Sequence, residues 1–209
     1  MHLYSHVSNI LQESAFSAAI QAIYIPGRSY GDYEAILQQA AVLHAVGDHC
    51  PILLTNSDGR RVGGTVPGEA CPGFVAWSQL LAHMGVKREL IMATLGEALQ
   101  SKQENDELVR MAKARKWESV LFVANAHQLA RFMLGAIASM DQLGYTFRLY
   151  TSYPRVNWDE IVRGSQAEKP MPRWIHVAEE AVRTETYQKK GDLVDAKRFD
   201  EYMAWRDKI

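Results

Sequence analysis

Four groups of polar residues stand directly after four short apolar runs of this 209-residue chain, and their types suit the binding of a small polar molecule. Gly27, Arg28 and Asp32 follow Ala22–Ile25, while Asn56, Asp58, Arg60, Arg61 and Glu69 follow Pro51–Leu54. Glu97 to Asn105, a segment that includes Glu104, follow Glu89–Met92, and Asn125, His127 and Arg131 follow Val120–Val123. Arginines hold a carboxylate or phosphate through paired hydrogen bonds, and helix N-termini add N–H groups and partial positive charge. Carboxylates suit hydroxyls, a cation or a metal, and the amides of Asn56 and Asn125 orient a ligand by hydrogen bonds.

His127 titrates near neutrality and is the foremost acid–base candidate, with Glu97 the second; the same histidine also suits a ligand clamp or a helix cap. Ser57 and Ser101 lie in no nucleophile-elbow pattern, which disfavours a serine hydrolase. Gly59-Arg60-Arg61-Val62-Gly63-Gly64-Thr65 is glycine-rich but lacks the lysine of a phosphate loop and the spacing of a dinucleotide loop. Asp58, Glu69 and Glu97 form no compact cation motif, so no metal site is assigned.

The elements that must position these groups alternate between strand and helix. Ala22–Ile25, Pro51–Leu54, Glu89–Met92 and Ser119–Ala124 are predicted strands, with Thr146–Tyr150 a fifth. Between them lie helices whose core faces are Ile36, Ala40 and Leu43; Phe74, Trp77, Leu81 and Met84; and Leu129, Phe132, Met133, Ala136, Ile137 and Met140. Ser101-Lys102-Gln103-Glu104 has the spacing of a capping box and predicts a helix to about Lys116 with Ser101 as its N-cap. Parallel strands joined by crossover helices have both faces covered, so ligand groups gather in the loops at the carboxyl ends of the strands.

Length and composition predict one α/β domain over residues 1–209: a core of about 22–150, an N-terminal helix over 6–21 and a C-terminal helical extension over 151–209. In that extension helices are predicted around Trp174–Gln188 and Asp195–Arg206, covering the sheet or forming a homodimer contact. With 23 Lys plus Arg against 24 Asp plus Glu, no net field draws the chain to nucleic acid. The N-terminal segment is interrupted by Gln12 and Glu13, while Val7, Ile10, Leu11, Ala15 and Ala18 recur at helical spacing. It therefore reads as a packing helix, neither a signal peptide nor a membrane span. Two cysteines make no disulfide framework, which points to a reducing, cytoplasmic setting.

On these residues the chain resembles the bacterial DUF218 family, which includes YdcF-like and SanA-like proteins. The resemblance covers about 22–150 and rests on Ile23–Gly27 with Tyr30-Gly31-Asp32-Tyr33-Glu34-Ala35, Leu53–Gly59, Gly68-Glu69-Ala70, Gln103-Glu104-Asn105 and Phe122–Arg131. The stretch from Glu180-Ala181-Val182-Arg183 through Tyr187 to Gly191-Asp192 is similar to the C-terminal part of the YdcF-like branch. It implies a Rossmann-like three-layer α/β/α fold with a mainly parallel sheet of about five strands and extra terminal helices. Its implied pocket is Gly27, Asn56, Gly59, Glu69, Glu104, Asn105 and Arg131, and its implied cofactor is S-adenosylmethionine. Two departures stand out: Lys102 replaces the threonine before the Glu-Asn pair, and Gln128 takes the histidine position, with His127 one residue earlier.

The expectation is a cytoplasmic small-molecule-binding protein whose nucleotide-like or S-adenosylmethionine-like ligand sits at the strand ends. The alternatives are an enzyme acting on a phosphorylated or sugar-nucleotide substrate, and a non-catalytic interaction protein of envelope regulation.

Overall fold

The structure, a computed structural model, describes residues 3–13, 19–27, 33–57, 72–162 and 170–208. Five strands, β1 (Ala22–Ile25), β2 (Ile52–Asn56), β3 (Ile91–Glu97), β4 (Ser119–Val123) and β5 (Arg148–Ser152), form one sheet in the order β3-β2-β1-β4-β5. Every pairing is parallel, with Ile23 opposite both Ile52 and Leu121. The three inner strands are short apolar runs buried on both faces, as a sheet sandwiched between helices requires. Side-chain alternation then sorts the core. Ile23, Ile25, Leu54 and Val123 pack with α2 (Tyr33–Val46) and α3 (Gly73–His83). Tyr24, Leu53 and Phe122 pack on the opposite face with α4 (Ser101–Arg115), α5 (Ala126–Leu143), and the terminal helices α1 (Leu3–Glu13) and α7 (Ala196–Arg206). The fold is a Rossmann-like three-layer α/β/α arrangement. The chain runs outward from β1 to β3, and α4 carries it back to β4, so the topology switches direction between β1 and β4.

β3 differs most from its predicted extent. A 3-10 turn at Arg88–Leu90 takes up the beginning of the predicted run, and the strand continues through Leu95-Gly96-Glu97. As the outermost strand it needs no continuous apolar sequence. Its register shifts between Leu54 and Asn56, where Thr94 Oγ1 accepts from Asn56 N at 2.8 Å and donates to Gly96 O at 3.0 Å. Gly96 N donates to the Glu107 carboxylate of α4 at 2.5 Å, and a Cβ at residue 96 would stand 2.9 Å from that carboxylate.

The terminal helices cover the layer that contains α5. Tyr4, pushed up to about 12 by burial, donates its hydroxyl to His127 O at 2.7 Å and so ties α1 to the start of α5. α6 (Ile175–Lys189) packs on α1 and α5. A short antiparallel ribbon, β6 (Ile161–Val162) with β7 (Met171–Pro172), precedes it; two-residue strands leave no periodicity to read in the sequence. α7 begins at its Asp195 cap, which accepts from Arg198 N at 2.8 Å, and lies along β5. There the Tyr202 hydroxyl accepts from Leu149 N at 2.7 Å and donates to Phe147 O at 2.9 Å, while Arg206 Nη1 donates to Leu149 O at 3.4 Å.

Candidate functional site

At the switch point the first turn meets the first turn of α4. Gly27 N donates to Glu104 Oε1 at 2.7 Å, and a Cβ at residue 27 would stand 2.7 Å from the same oxygen, so a larger residue there would make the carboxylate shift. The Tyr24 hydroxyl, which also lies 3.1 Å from Thr55 Oγ1, donates to Glu104 O at 3.1 Å and anchors this end of α4 on β1. A carboxylate therefore covers the N–H that a Rossmann-like turn otherwise offers to an anion. The chemistry left at this point favours hydroxyls or positive charge over phosphate.

The other predicted residues of the sheet end fall nearby or outside. Asn56 ends β2, half-buried, with its carbonyl accepting from Ala98 N at 3.2 Å. Glu97 lies opposite it on the outer strand and is exposed. Asn125, 3% exposed, occupies the N-cap position of α5 with its backbone oxygen accepting from Gln128 N at 2.9 Å. Arg28, Asp32, Asp58, Gly59, Arg60, Arg61 and Glu69 lie outside the described residues.

His127 does not stand open at the strand ends. It is 3% exposed, and its ring stacks on His176 of α6 with centroids 5.8 Å apart and planes at 29°. His176 in turn contacts Glu179 Oε2 at 2.9 Å and Val162 O at 3.3 Å. The imidazole expected to exchange protons at the crevice is thus packed in a helix interface. The apolar positions of α5 define its face toward the sheet but do not show that α6 covers the rest.

Arg131 is likewise buried, and its principal partner lies far along the chain. Its Nε donates to Glu180 Oε2 at 2.5 Å and its Nη2 to Glu180 Oε1 at 3.3 Å, while Nη1 donates to Ser101 Oγ at 2.8 Å. Arg183 Nη1 adds a 2.8 Å contact to the same carboxylate. Burial opposes both charges, but the pairing outweighs it: Arg131 is held above its ordinary value and Glu180 below the ordinary carboxylate range. Ser101 is also not the N-cap of α4. Gln100 holds that position without a side-chain cap, and Gln103 reaches back to Leu99 N at 2.9 Å, so the capping pattern is shifted by one residue.

Arg131 and Asn105 line a cavity of about 250 Å³ between the start of α4, α5 and the end of α6, together with Ser101, Gly135, Tyr187 and Asp192. Gln100 and Lys102, from the same predicted segment as Ser101 and Asn105, line it too, whereas Gly27, Asn56, Glu97, Glu104, Asn125 and His127 do not. The predicted set thus divides into Gly27 with Glu104 at the switch point, and Asn105 with Arg131 on the flank. Gly135 and Tyr187 carried no sequence signal as site residues. A glycine within the apolar periodicity of α5 reads as packing, and Tyr187 is three turns into α6.

Among the described residues no group of three or more His, Cys, Asp or Glu side chains is disposed to hold a metal ion, and no helix is long and apolar enough to cross a membrane. No family model, curated protein or solved structure matches the chain.

Proposed function

We propose that the chain is a cytoplasmic small-molecule-binding protein of the DUF218 type that takes an adenosyl ligand such as S-adenosylmethionine at the carboxyl ends of β1 and β4. The observation that carries this reading is the Glu104 carboxylate held 2.7 Å from Gly27 N at the topological switch point, where sheets of this kind bind their ligands. Its charge separates two ligand classes. The hydroxyls of a ribose and the positive sulfonium and ammonium of S-adenosylmethionine suit a carboxylate there, whereas the phosphates of a nucleotide meet repulsion. Binding is favoured over turnover because the one histidine of this region is stacked on His176.

Calorimetry with S-adenosylmethionine and with ATP on the folded protein tests the reading. S-adenosylmethionine is expected to bind at least about tenfold more tightly than ATP, and Glu104→Gln, which keeps an acceptor for Gly27 N but loses the charge, to weaken it by about tenfold. Absence of heat with S-adenosylmethionine, or unchanged affinity in Glu104→Gln, overturns it.

A further inference from the structure

Ser101 and Asn105 stand one turn apart on one face of α4, and Arg131 and Gly135 stand one turn apart on α5. The first pair of facing residues is joined by the 2.8 Å bond from Arg131 Nη1 to Ser101 Oγ. At the second, Gly135 leaves open the space its Cβ would occupy, and the Asn105 amide nitrogen fills it. Asn105 is 2% exposed, and its Oδ1 has no hydrogen-bond partner among the described residues. Buried acceptors in folded proteins are almost always paired, and the residue that carries this one lines the 250 Å³ cavity.

The same cavity collects donors. The N-terminus of the 15-residue helix α4 borders it, its N-cap residue Gln100 makes no side-chain cap, and its first N–H groups form the positive end of the helix dipole. A guanidinium has five N–H donors, and Arg131 commits Nε and one hydrogen each of Nη1 and Nη2 to Ser101 and Glu180, so two remain. Lys102 lines the cavity as well, but its ammonium is engaged by Asp106 at 3.1 Å and Gln142 at 3.0 Å. Asp192 supplies a carboxylate to the lining.

A ligand that satisfies both sets needs a carboxylate for the donors and an N–H donor for Asn105 Oδ1 and Asp192. An inorganic anion answers only the first set and faces Asp192 with like charge. At about 250 Å³ the space lies below the range of about 300–1,000 Å³ of pockets that hold drug-sized molecules. We propose that this cavity binds a free amino acid, with its carboxylate at the start of α4 beside Ser101 and Arg131 and its ammonium at Asn105 Oδ1 and Asp192. The site is separate from the adenosyl site proposed above, because Glu104 turns inward to Gly27 while Asn105 turns outward to α5.

Thermal unfolding and calorimetry with the standard amino acids at millimolar concentration test the proposal, with acetate and methylammonium as the two half-molecules. At least one amino acid is expected to raise the Tm in a concentration-dependent way, and neither half-molecule to do so. Asn105→Leu is expected to weaken that amino acid by more than about tenfold without lowering the Tm of the unliganded protein, since it removes an acceptor that has no partner. Ser101→Ala, at the start of the helix, is expected to weaken it by a smaller factor and decides the matter if Asn105→Leu does not fold. S-adenosylmethionine and the amino acids are titrated separately, so that heat with one and none with the other lets this site and the adenosyl site stand or fall apart. No shift with any amino acid, an equal shift with acetate, or full affinity in both Asn105→Leu and Ser101→Ala overturns the proposal.

Discussion

Two cavities of nearly equal volume, about 250 and 240 Å³, lie on the two helical layers of the sheet, and they differ in almost every other respect. The one between α4, α5 and α6 is bordered by Ser101, Asn105, Arg131 and Asp192; the other, beside β1 and the end of α2, is bordered chiefly by Ile20, Ile23, Leu43, Val46 and Leu121. A mainly apolar recess leaves few polar groups to satisfy, whereas a buried acceptor without a partner is not a neutral feature of an interior. The same contrast runs through the whole layers. α2 and α3 bury Ile36, Leu37, Ala40, Trp77 and Leu81, while the opposite layer buries Glu107, His127, Arg131, His176, Glu180 and Arg206. The face under α2 and α3 is held by apolar burial with His44 as a buried polar side chain, while the other face adds paired charges such as Arg131 with Glu180 to an apolar core of its own.

The contrast breaks most sharply at Glu180. Glu180→Ala leaves Arg131 buried without its counter-charge and is expected to cost about 3–5 kcal/mol in urea unfolding, while the double change Arg131→Met/Glu180→Leu is expected to cost far less. Equal costs for the single and double changes would show that the pair is only a surface-like contact. The pair also gives this layer a pH dependence. Burial alone would raise the Glu180 carboxyl, but Arg131 and then Arg183 hold it below its ordinary 4.5. A carboxyl lowered in the folded state contributes stability above that ordinary value, and the contribution is lost as pH falls through the folded value. Acid titration of stability should therefore show a loss below about pH 4.5 that Glu180→Gln removes.

A change on the apolar layer sharpens the comparison. Leu81→Ala, fully buried on α3, is expected to cost about 2–5 kcal/mol, and that cost is expected to stay constant across the pH range over which Glu180 titrates. The smallest of the three effects is Tyr202→Phe, which keeps the ring and removes the hydroxyl between Leu149 N and Phe147 O. It is expected to cost about 1–3 kcal/mol, read from the denaturation midpoint at unchanged slope.

The difference between the layers also explains what could be read from the chain. Apolar periodicity placed β1, β2, β4 and the helices from α2 onward well, because burial on two faces writes itself into continuous runs such as Ser119–Val123, whereas the N-terminal helix expected over 6–21 runs Leu3–Glu13 and residues 19–21 lie outside any helix. The helix expected around Asp195–Arg206 runs Ala196–Arg206, with Asp195, a preferred capping residue, as its cap. β3 was misplaced because an edge strand with Thr94 and Gly96 has no such run. Gly27, Glu104 and Asn105 were read as parts of one pocket, yet adjacent residues of a helix point about 100° apart, which sent Glu104 to Gly27 and Asn105 to α5. Nothing local to Arg131 announces Glu180, which lies 49 residues on. His127 was expected in the open for the same reason: its neighbour His176 arrives from the same distant helix.

The helix laid along β5 has a consequence for how the molecule meets others of its kind. Backbone groups that an incoming strand would need, Leu149 N, Phe147 O and Leu149 O, are already engaged by Tyr202 and Arg206. Lengthening of the sheet by strand addition is closed at that border. A second copy that paired backbone to backbone would have to arrive at the β3 side, and any association through α7 has to be made by side chains alone.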